Sequence, residues 1–335
     1  MNKILILKND RIGDLFHSIE GINSIINNHK NYQIEIILSP YSKKTNFLFK
    51  VPNVRTSILN YRLSLYEKFF LIKKVFFEKF DKIYILAPKS FYFALPFFCS
   101  TKFYAVCVDD LNSVRPYKFL RKKLFKFVVN NRKYKKINES ISHLNSRLCK
   151  EIGSTNLDVL NKSPVISSLL SQNINLFNNF IHVHYKDSLF KKNSWDLELF
   201  VALLKKINNL NFKVVLTSDL GSKNYNNFFL QNFSFLNFEN NTSFGVNNFK
   251  IIYLHNVNIS DLFKVVGMSN LVISPHGAMT ALASYLKIKV IDIFDTNITI
   301  SSFREFKPKN HLNYNFLILK NNSDKVFNKI LKFIK

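Results

Sequence analysis

Short apolar runs of strand length alternate along this chain with longer segments whose apolar residues recur at helical spacing. Lys3–Lys8 (KILILK) opens the pattern, and Leu15–Ile26 follows with a helical period. Ile34–Leu38, Val54–Leu59, Lys82–Ala87 and Lys102–Val108 read as further strands, with a helix-length segment at Leu63–Phe80 among them. These runs are continuous rather than alternating, as strands covered on both faces of a parallel sheet require. The pattern restarts with strands at Phe180–His184, Lys213–Thr217, Ile251–Leu254, Leu271–Ser274 and Lys289–Phe294. Helices are expected at Trp195–Asn208, Ser260–Met268 and Gly277–Leu286, and a closing helix at Asp324–Lys335. Asn-rich Gln231–Asn248 reads as a loop, and no internal repeat or heptad pattern is visible.

Gly153–Asn179, rich in Ser and Asn and holding Pro164, reads as the connection between the two sets of elements. The expectation is an α/β protein of two doubly wound domains, residues 1–165 and 166–322, followed by the helix 323–335. Open sheets of this kind bind ligands beyond the carboxyl ends of their strands, so functional residues are expected just after strands, in a cleft between two facing domains.

Composition narrows this picture. The 335 residues are 47% hydrophobic and 21% charged, which excludes a disordered basic tail. Three cysteines point to a reducing compartment rather than a disulfide framework. Lys8, Asp10 and Arg11 follow the four apolar residues Ile4–Leu7, so no secretory segment is expected; Ser90–Thr101 is too short to span a bilayer. A cytoplasmic globular protein is the expectation. Its formal net charge is +26. Compositional drift explains a diffuse excess of Lys, because Asn, Ile and Phe are abundant too. Drift explains poorly the block Arg115–Lys136, which holds ten Lys and Arg and no acid, interleaved with Phe119, Leu120, Leu124, Phe125 and Phe127. Read as a basic amphipathic helix, it would present Arg115, Lys118, Arg121, Lys122, Lys123 and Lys126 to an anionic membrane surface. Nucleic acid is the rival partner for such a charge, but most Phe sit at core spacing and no nucleic-acid-binding motif is present.

The first turn after a strand, Asn9-Asp10-Arg11-Ile12-Gly13-Asp14, carries candidate chemistry. Gly13 permits a tight turn, and Arg11 offers a cation for phosphate. Asp14 is either the N-cap of the helix that follows or a carboxylate able to take a proton from a substrate hydroxyl. A second turn, Ser274-Pro275-His276-Gly277-Ala278-Met279, links a strand to a helix N-terminus. The backbone N–H groups of Gly277, Ala278 and Met279, with His276, suit the negative charge of a diphosphate. His182 and His184 alternate on a strand without a third ligand at metal spacing, so no metal is expected.

From Lys3 through Arg11-Ile12-Gly13-Asp14-Leu15-Phe16-His17-Ser18 the chain resembles the amino-terminal signature of glycosyltransferase family 9, the lipopolysaccharide heptosyltransferases. Three further segments follow in the family's order. His143-Leu144-Asn145 with Leu148 and Ile152-Gly153 is similar to the helix that closes its first domain. Lys191-Lys192-Asn193-Ser194-Trp195 is similar to its Lys/Arg-Trp segment. Ser260-Asp261-Leu262, then Ser269–Ser274 and Gly277-Ala278-Met279, is similar to its last nucleotide-sugar motif. The resemblance implies a GT-B arrangement of two Rossmann-like domains facing a central cleft. It implies inverting, metal-independent transfer of a heptose or related sugar from a nucleotide-diphosphate donor, ADP-heptose being a candidate, to a hydroxyl of a lipopolysaccharide core or related glycan. No further cofactor is implied.

The resemblance makes Asp14 the catalytic base, with Arg11, Gly13 and His17 beside it on the acceptor side. It makes Lys191, Lys192, Asp219, His276, Gly277, Ala278 and Met279 the donor-binding set, Asp219 replacing a Glu that contacts the ribose. The partners implied are a phosphorylated glycolipid and the inner face of the cytoplasmic membrane, with peripheral association. The chain departs from the family where Pro275-His276 stands for an Asp-Ser/Thr pair before Gly277, where Thr280 replaces a His, and where Asn193-Ser194 precede Trp195. A degenerate, non-catalytic relative is the alternative these departures raise, and a basic nucleic-acid-binding protein is the more distant one.

Overall fold

The computed structural model describes residues 2–87, 89–107, 127–130, 164–192, 197–219, 223–248, 250–294, 314–318 and 323–334. They form two compact units, Met1–Lys162 with Ile300–Lys309, and Ser163–Thr299 with Asn310–Lys335. In the first, strands β1 (Lys3–Lys8), β2 (Gln33–Leu38), β3 (Val54–Ile58), β4 (Lys82–Ile85), β5 (Lys102–Cys107) and β6 (Phe127–Asn130) make a parallel sheet in the order β3-β2-β1-β4-β5-β6. Ile4, Leu5, Ile6 and Leu7 are all buried because β1 is covered on both faces. Leu5 and Leu7 pack with Ile37, Ile83 and Ile85 against Leu71 and Val75 of helix α3 (Leu65–Phe77). Ile4 and Ile6 alternate onto the opposite face. With β1 central, the strand order reverses between β1 and β4, which is where a doubly wound sheet opens to a ligand.

The second unit has an eight-stranded sheet in the order β10-β9-β11-β8-β7-β12-β13-β14. Its strands are β7 (Phe180–Tyr185), β8 (Lys213–Ser218), β9 (Ser234–Asn237), β10 (Thr242–Phe244), β11 (Ile251–His255), β12 (Leu271–Pro275), β13 (Lys289–Phe294) and β14 (Tyr314–Ile318). All pair in parallel except β10 on β9. One face buries Ile181, Val183 and Tyr185 against Phe200, Leu203 and Leu204 of a helix at Leu197–Asn208 and against Phe327 and Ile330 of a closing helix at Ser323–Ile334. The other buries Phe180, Val215 and Ile252 against Leu169 and Leu170. Here the reversal falls between β7 and β12.

Several expectations are corrected. Leu15–Ile26 is not one helix but part of two, α1 (Ile12–Phe16) and α2 (Ile19–Asn28). Between them Ser18 turns its hydroxyl onto the Asp14 carbonyl, competing with the helical backbone. The Gln231–Asn248 loop contains β9 and β10, a marginal hairpin in which every residue of β10 is exposed. The Ser/Asn-rich connection contains a helix at Ser168–Asn173 whose Leu169 and Leu170 are core residues. The basic amphipathic helix expected over Arg115–Lys136 is interrupted, because Phe127–Asn130 is β6, paired to β5. Arg115, Lys118, Arg121, Lys122, Lys123 and Lys126 lie outside the described residues, as does the His143–Gly153 segment. Nor are all the Phe residues core: Phe69, Phe70, Phe76 and Phe77 of α3 are exposed. Among the described residues no helix is long and apolar enough to cross a membrane.

Candidate functional site

In the first unit the chain leaves β1 through Asn9, Asp10 and Arg11 at the reversal point and enters α1. The N-cap of α1 is Arg11, in extended conformation, so Asp14 is not the cap but a first-turn residue, and Gly13 lies in the helix rather than in a turn. The turn is built from buried polar groups. Lys8, 1% exposed, donates from Nζ to Asp10 Oδ2 at 2.7 Å and to the Leu86 carbonyl at 3.2 Å. Asn9 is fully buried; its amide donates to the Asn60 carbonyl at 2.7 Å, and its Oδ1 accepts from the Tyr92 hydroxyl. Lys89, which follows β4, donates to Asn9 Oδ1 at 2.8 Å, to the Asn9 carbonyl at 2.9 Å and to the Tyr61 carbonyl. The Ser39 hydroxyl, after β2, donates to the Asp10 carbonyl. Four strand ends therefore hold one turn in place.

The electrostatics follow from burial. Burial pushes the Asp10 carboxyl up against the opposing pull of Lys8, and the Asp14 charge pushes it the same way. Burial also pushes the Lys89 ammonium down to about 8, with Asp10 pulling upward and Lys8 downward. Lys89 and Arg11 both lie over the Tyr61 ring, 4.6 and 5.8 Å from its centroid. Arg11 is exposed, and His17 caps the carboxyl end of α1. Asp14 is half-buried, and its carboxylate has no hydrogen bond or ion pair among the described residues. Lys8, Asn9 and Lys89 each bond a backbone carbonyl and Asp10 bonds Lys8, whereas the Asp14 carboxylate holds none of the turn.

In the second unit, β7 leads to a helix at Asp187–Lys192, whose last residues are Lys191 and Lys192; their side chains lie outside the described part. β12 leads to His276 and Gly277, and then to a helix at Ala278–Tyr285. Gly277 has φ +157° and ψ −147°, a conformation that L side chains rarely adopt, and the space where a Cβ would stand is open. Thr280 fastens the turn: its hydroxyl donates to the Gly277 carbonyl at 2.9 Å and accepts from the Gly277 N–H at 3.2 Å. That leaves Ala278 and Met279 to open the helix N-terminus. The His276 ring stacks on Phe294 at 4.4 Å, and its Nδ1 bonds Asp292 Oδ2 at 2.7 Å. Tyr314 donates to the same oxygen at 2.7 Å, and burial beside that carboxylate pushes its phenol far above the ordinary range.

Asp219 follows β8, beside β7. It is oriented by a chain of side chains that runs out from the sheet: His182 Nε2 to Thr217 Oγ1 at 2.9 Å, Thr217 Oγ1 to His184 Nδ1 at 2.9 Å, and His184 Nε2 to Asp219 Oδ1 at 3.2 Å. One proton assignment satisfies all three, with both imidazoles donating from Nε2 and the Thr217 hydroxyl donating to His184. Burial, with His184 alongside, lowers His182 to about 3, so it is neutral in this arrangement. Burial alone would raise Asp219, but the bond from His184, with the electrostatic pull of His184 and Lys186, outweighs it and holds the carboxyl below its ordinary value. No group of three or more metal-ligating side chains occurs among the described residues.

No protein-family model matches the chain, and no curated protein matches it in sequence. Solved structures do match it over nearly its whole length. A family 9 glycosyl transferase from Veillonella parvula has a TM-score of 0.64 at 10% identity, covering 99% of this chain and 89% of its own. Two Escherichia coli proteins each cover 99% of this chain and 98% of their own: the ADP-heptose lps heptosyltransferase II at TM-score 0.63 and 13% identity, and the heptosyltransferase WaaC with ADP-2-deoxy-2-fluoro heptose at 0.65 and 11%. The fold is GT-B. That fold is similar to that of the heptosyltransferases over 99% of the chain. The GT-B fold also serves a UDP-GlcNAc 2-epimerase from Methanocaldococcus jannaschii, similar at TM-score 0.58 and 12% identity over 99% of this chain and 92% of that one.

Within the GT-B frame the expected residues divide cleanly. Arg11, Gly13, Asp14 and His17 share one turn and helix at the carboxyl edge of the first sheet. Asp219, Lys191, Lys192 and His276 through Met279 follow β8, β7 and β12, three neighbouring strands of the second. Sequence reasoning missed Lys8, Asn9, Lys89 and Tyr92 in the first unit, and Asp292 and Tyr314 in the second. The available signal was a charged or polar residue inside an apolar strand run, as Lys8 ends KILILK and Asp292 interrupts KVIDIF.

Proposed function

We propose that the protein is an inverting, metal-independent glycosyltransferase that moves a heptose or related sugar from a nucleotide-diphosphate donor to a hydroxyl of a lipopolysaccharide core or related surface glycan. The observation that carries this is Asp14: a half-buried carboxylate with no bonded partner among the described residues, at the ligand edge of a GT-B first domain, beside a turn held by Lys8, Asn9, Ser39 and Lys89. A hydroxyl is a poor nucleophile until a base takes its proton. In this reading Asp14 takes that proton as the acceptor oxygen bonds to the anomeric carbon, while the bond from that carbon to the diphosphate oxygen breaks on the opposite side with its electron pair. A single displacement of this kind inverts the centre. The charge that develops on the leaving diphosphate is met by the helix N-terminus at Ala278 and Met279, by His276 oriented through Asp292 and Tyr314, and by Lys191 and Lys192. Asp219, fixed by His184, takes the ribose. The ADP-heptose analogue named with the similar WaaC makes ADP-heptose the first donor to try. Arg11 serves an acceptor phosphate, and the acceptor is a phosphorylated glycolipid met at the inner face of the cytoplasmic membrane, with the Arg115–Lys126 block adding positive charge to the chain.

The test offers the purified chain a panel of ADP-, UDP- and dTDP-sugars with a glycolipid acceptor in chelator. Turnover with one donor is expected, and Asp14→Asn should lower kcat by about 10²–10⁴-fold. Its thermal midpoint should be unchanged, since no bond among the described residues is lost. Full turnover in that variant would sink the assignment of the base, and donor binding without turnover in the wild type would identify a non-catalytic relative.

A further inference from the structure

Helix α3 is turned inside out. At 3.6 residues per turn, Leu65, Tyr66, Phe69, Phe70, Phe76 and Phe77 fall within an arc of about 140°. That arc faces water: Leu65 is 83% exposed, Tyr66 77% and Phe77 67%. The opposite arc gives the core Leu71 and Val75 as its buried residues, with Ile72 partly buried against the same cluster. An ordinary surface helix does the reverse, and an apolar face this continuous marks an interaction surface. The 3-10 segment Ser90–Phe97 packs on α3 and brings exposed Phe97 and Phe98 to its end.

The charges around the arc select the partner. Lys73 stands in its middle, its ammonium 4.9 Å from the Phe69 ring, and exposed Lys79 follows the helix. Both acids of the segment are tied away from it. Glu67 accepts the backbone N–H groups of Asn60 and Ser64, and Glu78 bonds Arg55 and Lys74. The face is therefore aromatic and cationic without an acid available to it, on a chain of net charge +26. Two copies packed through it would bring lysines together, whereas an anionic surface neutralises them. A helix of 13 residues is about 20 Å long, too short to span a bilayer but suited to lying in the headgroup layer.

We propose that α3 is a membrane-docking helix that seats its Leu65–Phe77 aromatic face in the surface of an anionic lipid bilayer. The docked helix is fastened to the candidate base's turn: Asn60 donates its N–H to Glu67 in the first turn of α3 and accepts from the side chain of Asn9 through its carbonyl. Docking thus holds the Asn9–Asp14 turn close to the lipid surface, where a glycolipid hydroxyl is presented. The inference rests on the proposed transfer reaction only for that last consequence.

The experiment uses the full chain with vesicles of phosphatidylethanolamine and phosphatidylglycerol, and with vesicles of phosphatidylcholine alone. Co-sedimentation with the first and not the second is expected, weakened by added salt. The triple variant Phe69→Gln, Phe76→Gln, Phe77→Gln should lose at least about tenfold in partitioning, with the thermal midpoint of the wild type kept because the replaced rings are exposed and Gln is a good helix former. Lys73→Glu should weaken binding further at low salt. Equal binding by the triple variant, or no binding by the wild type, overturns the proposal. So does self-association in the wild type that the triple variant abolishes without any vesicle binding, since the face is then an interface between copies. A protein that docks but transfers no sugar refutes the proposed reaction and leaves this inference standing; one that transfers sugar to a soluble acceptor but does not dock does the opposite.

Discussion

A lysine normally belongs in water, and Lys89 is held out of it by three acceptors. Its ammonium bonds the Asn9 side chain, the Asn9 carbonyl and the Tyr61 carbonyl, and so joins the ends of β1, β3 and β4. Burial lowers it to about 8. A lysine whose folded value lies below its unfolded one is a group that the unfolded chain protonates more readily. Below about 8 both states carry the proton and stability is flat in this group. From there up to the ordinary lysine value the unfolded chain holds more protons, so stability rises with pH. Lys89→Met removes that rise and leaves the two carbonyls without their donor, a loss of about 1–3 kcal/mol near neutral pH. Urea midpoints of both proteins between pH 7 and 10 test this. The wild type should gain on the variant above pH 8, and parallel curves would show that Lys89 does not carry a buried charge. Asp14 contrasts with it: its place in the site comes from having nothing to hold.

At the level of elements, the parts legible in the sequence are those whose environment is uniform. β1, β2, β4, β7, β8, β12 and β13 are covered on both faces, so their runs are mostly apolar, broken only at single positions such as Glu35 and Asp292, and their bounds fall within a residue or two of expectation. The missed strands sit at sheet margins. β6 and β14 are edge strands, and β9 and β10 form the other margin of the second sheet; all four are short, and none carries an apolar run of more than three residues. The same limit governs the site. Asp14 and the His276–Met279 turn were legible because they follow strands, whereas Lys89, Tyr92 and Tyr314 are defined by partners 80, 83 and 22 residues away, a relation no local pattern carries. Helix α3 was legible as a helix but not in its orientation, since spacing reports that apolar residues share a face and not what that face meets. Its start is specified locally. Ser64 accepts the Glu67 N–H, and Glu67 accepts the Ser64 N–H at 2.8 Å, a reciprocal capping box. Ser64→Ala should therefore cost about 1 kcal/mol, or roughly 2–4 °C in the melting transition of a domain this size. Calorimetry measures it, and an unchanged transition would mean that packing on Leu71 and Val75 alone sets the helix.

For the molecule as a whole, acid should be the damaging condition, and the reason lies in buried bases as well as carboxylates. His182 is fully buried in the second unit, its Nε2 bonded to Thr217 and its Nδ1 without a partner among the described residues. Burial holds it near 3. The unfolded chain takes up that proton near the ordinary histidine value of 6.5, so the contribution is complete above 6.5 and is lost as pH falls from there toward 3. By pH 3.5 the loss is on the order of 4 kcal/mol, a large share of a typical domain's stability. His29 in the first unit is lowered in the same direction by burial, with Lys82 bonded to its Nε2, and it begins to destabilise at the same pH. Glu35 acts later. Its burial favours the neutral acid, but bonds from Ser57, Lys74 and Arg55 outweigh that and lower it below 4.5, so its share is lost only as pH falls beneath that value. Among these groups His29 and Glu35 act in the first unit and His182 in the second, where Asp219, held below its ordinary value, adds its loss at lower pH. His182→Gln, which keeps a donor for Thr217, should shallow the slope of stability between pH 6.5 and 4, read from urea midpoints. Because that substitution also changes packing, the imidazole itself gives the independent check: its NMR signal in the wild type should not titrate above pH 4. A His182 resonance that titrates near 6 would place the ring in contact with water and remove the basis for acid lability in the second unit.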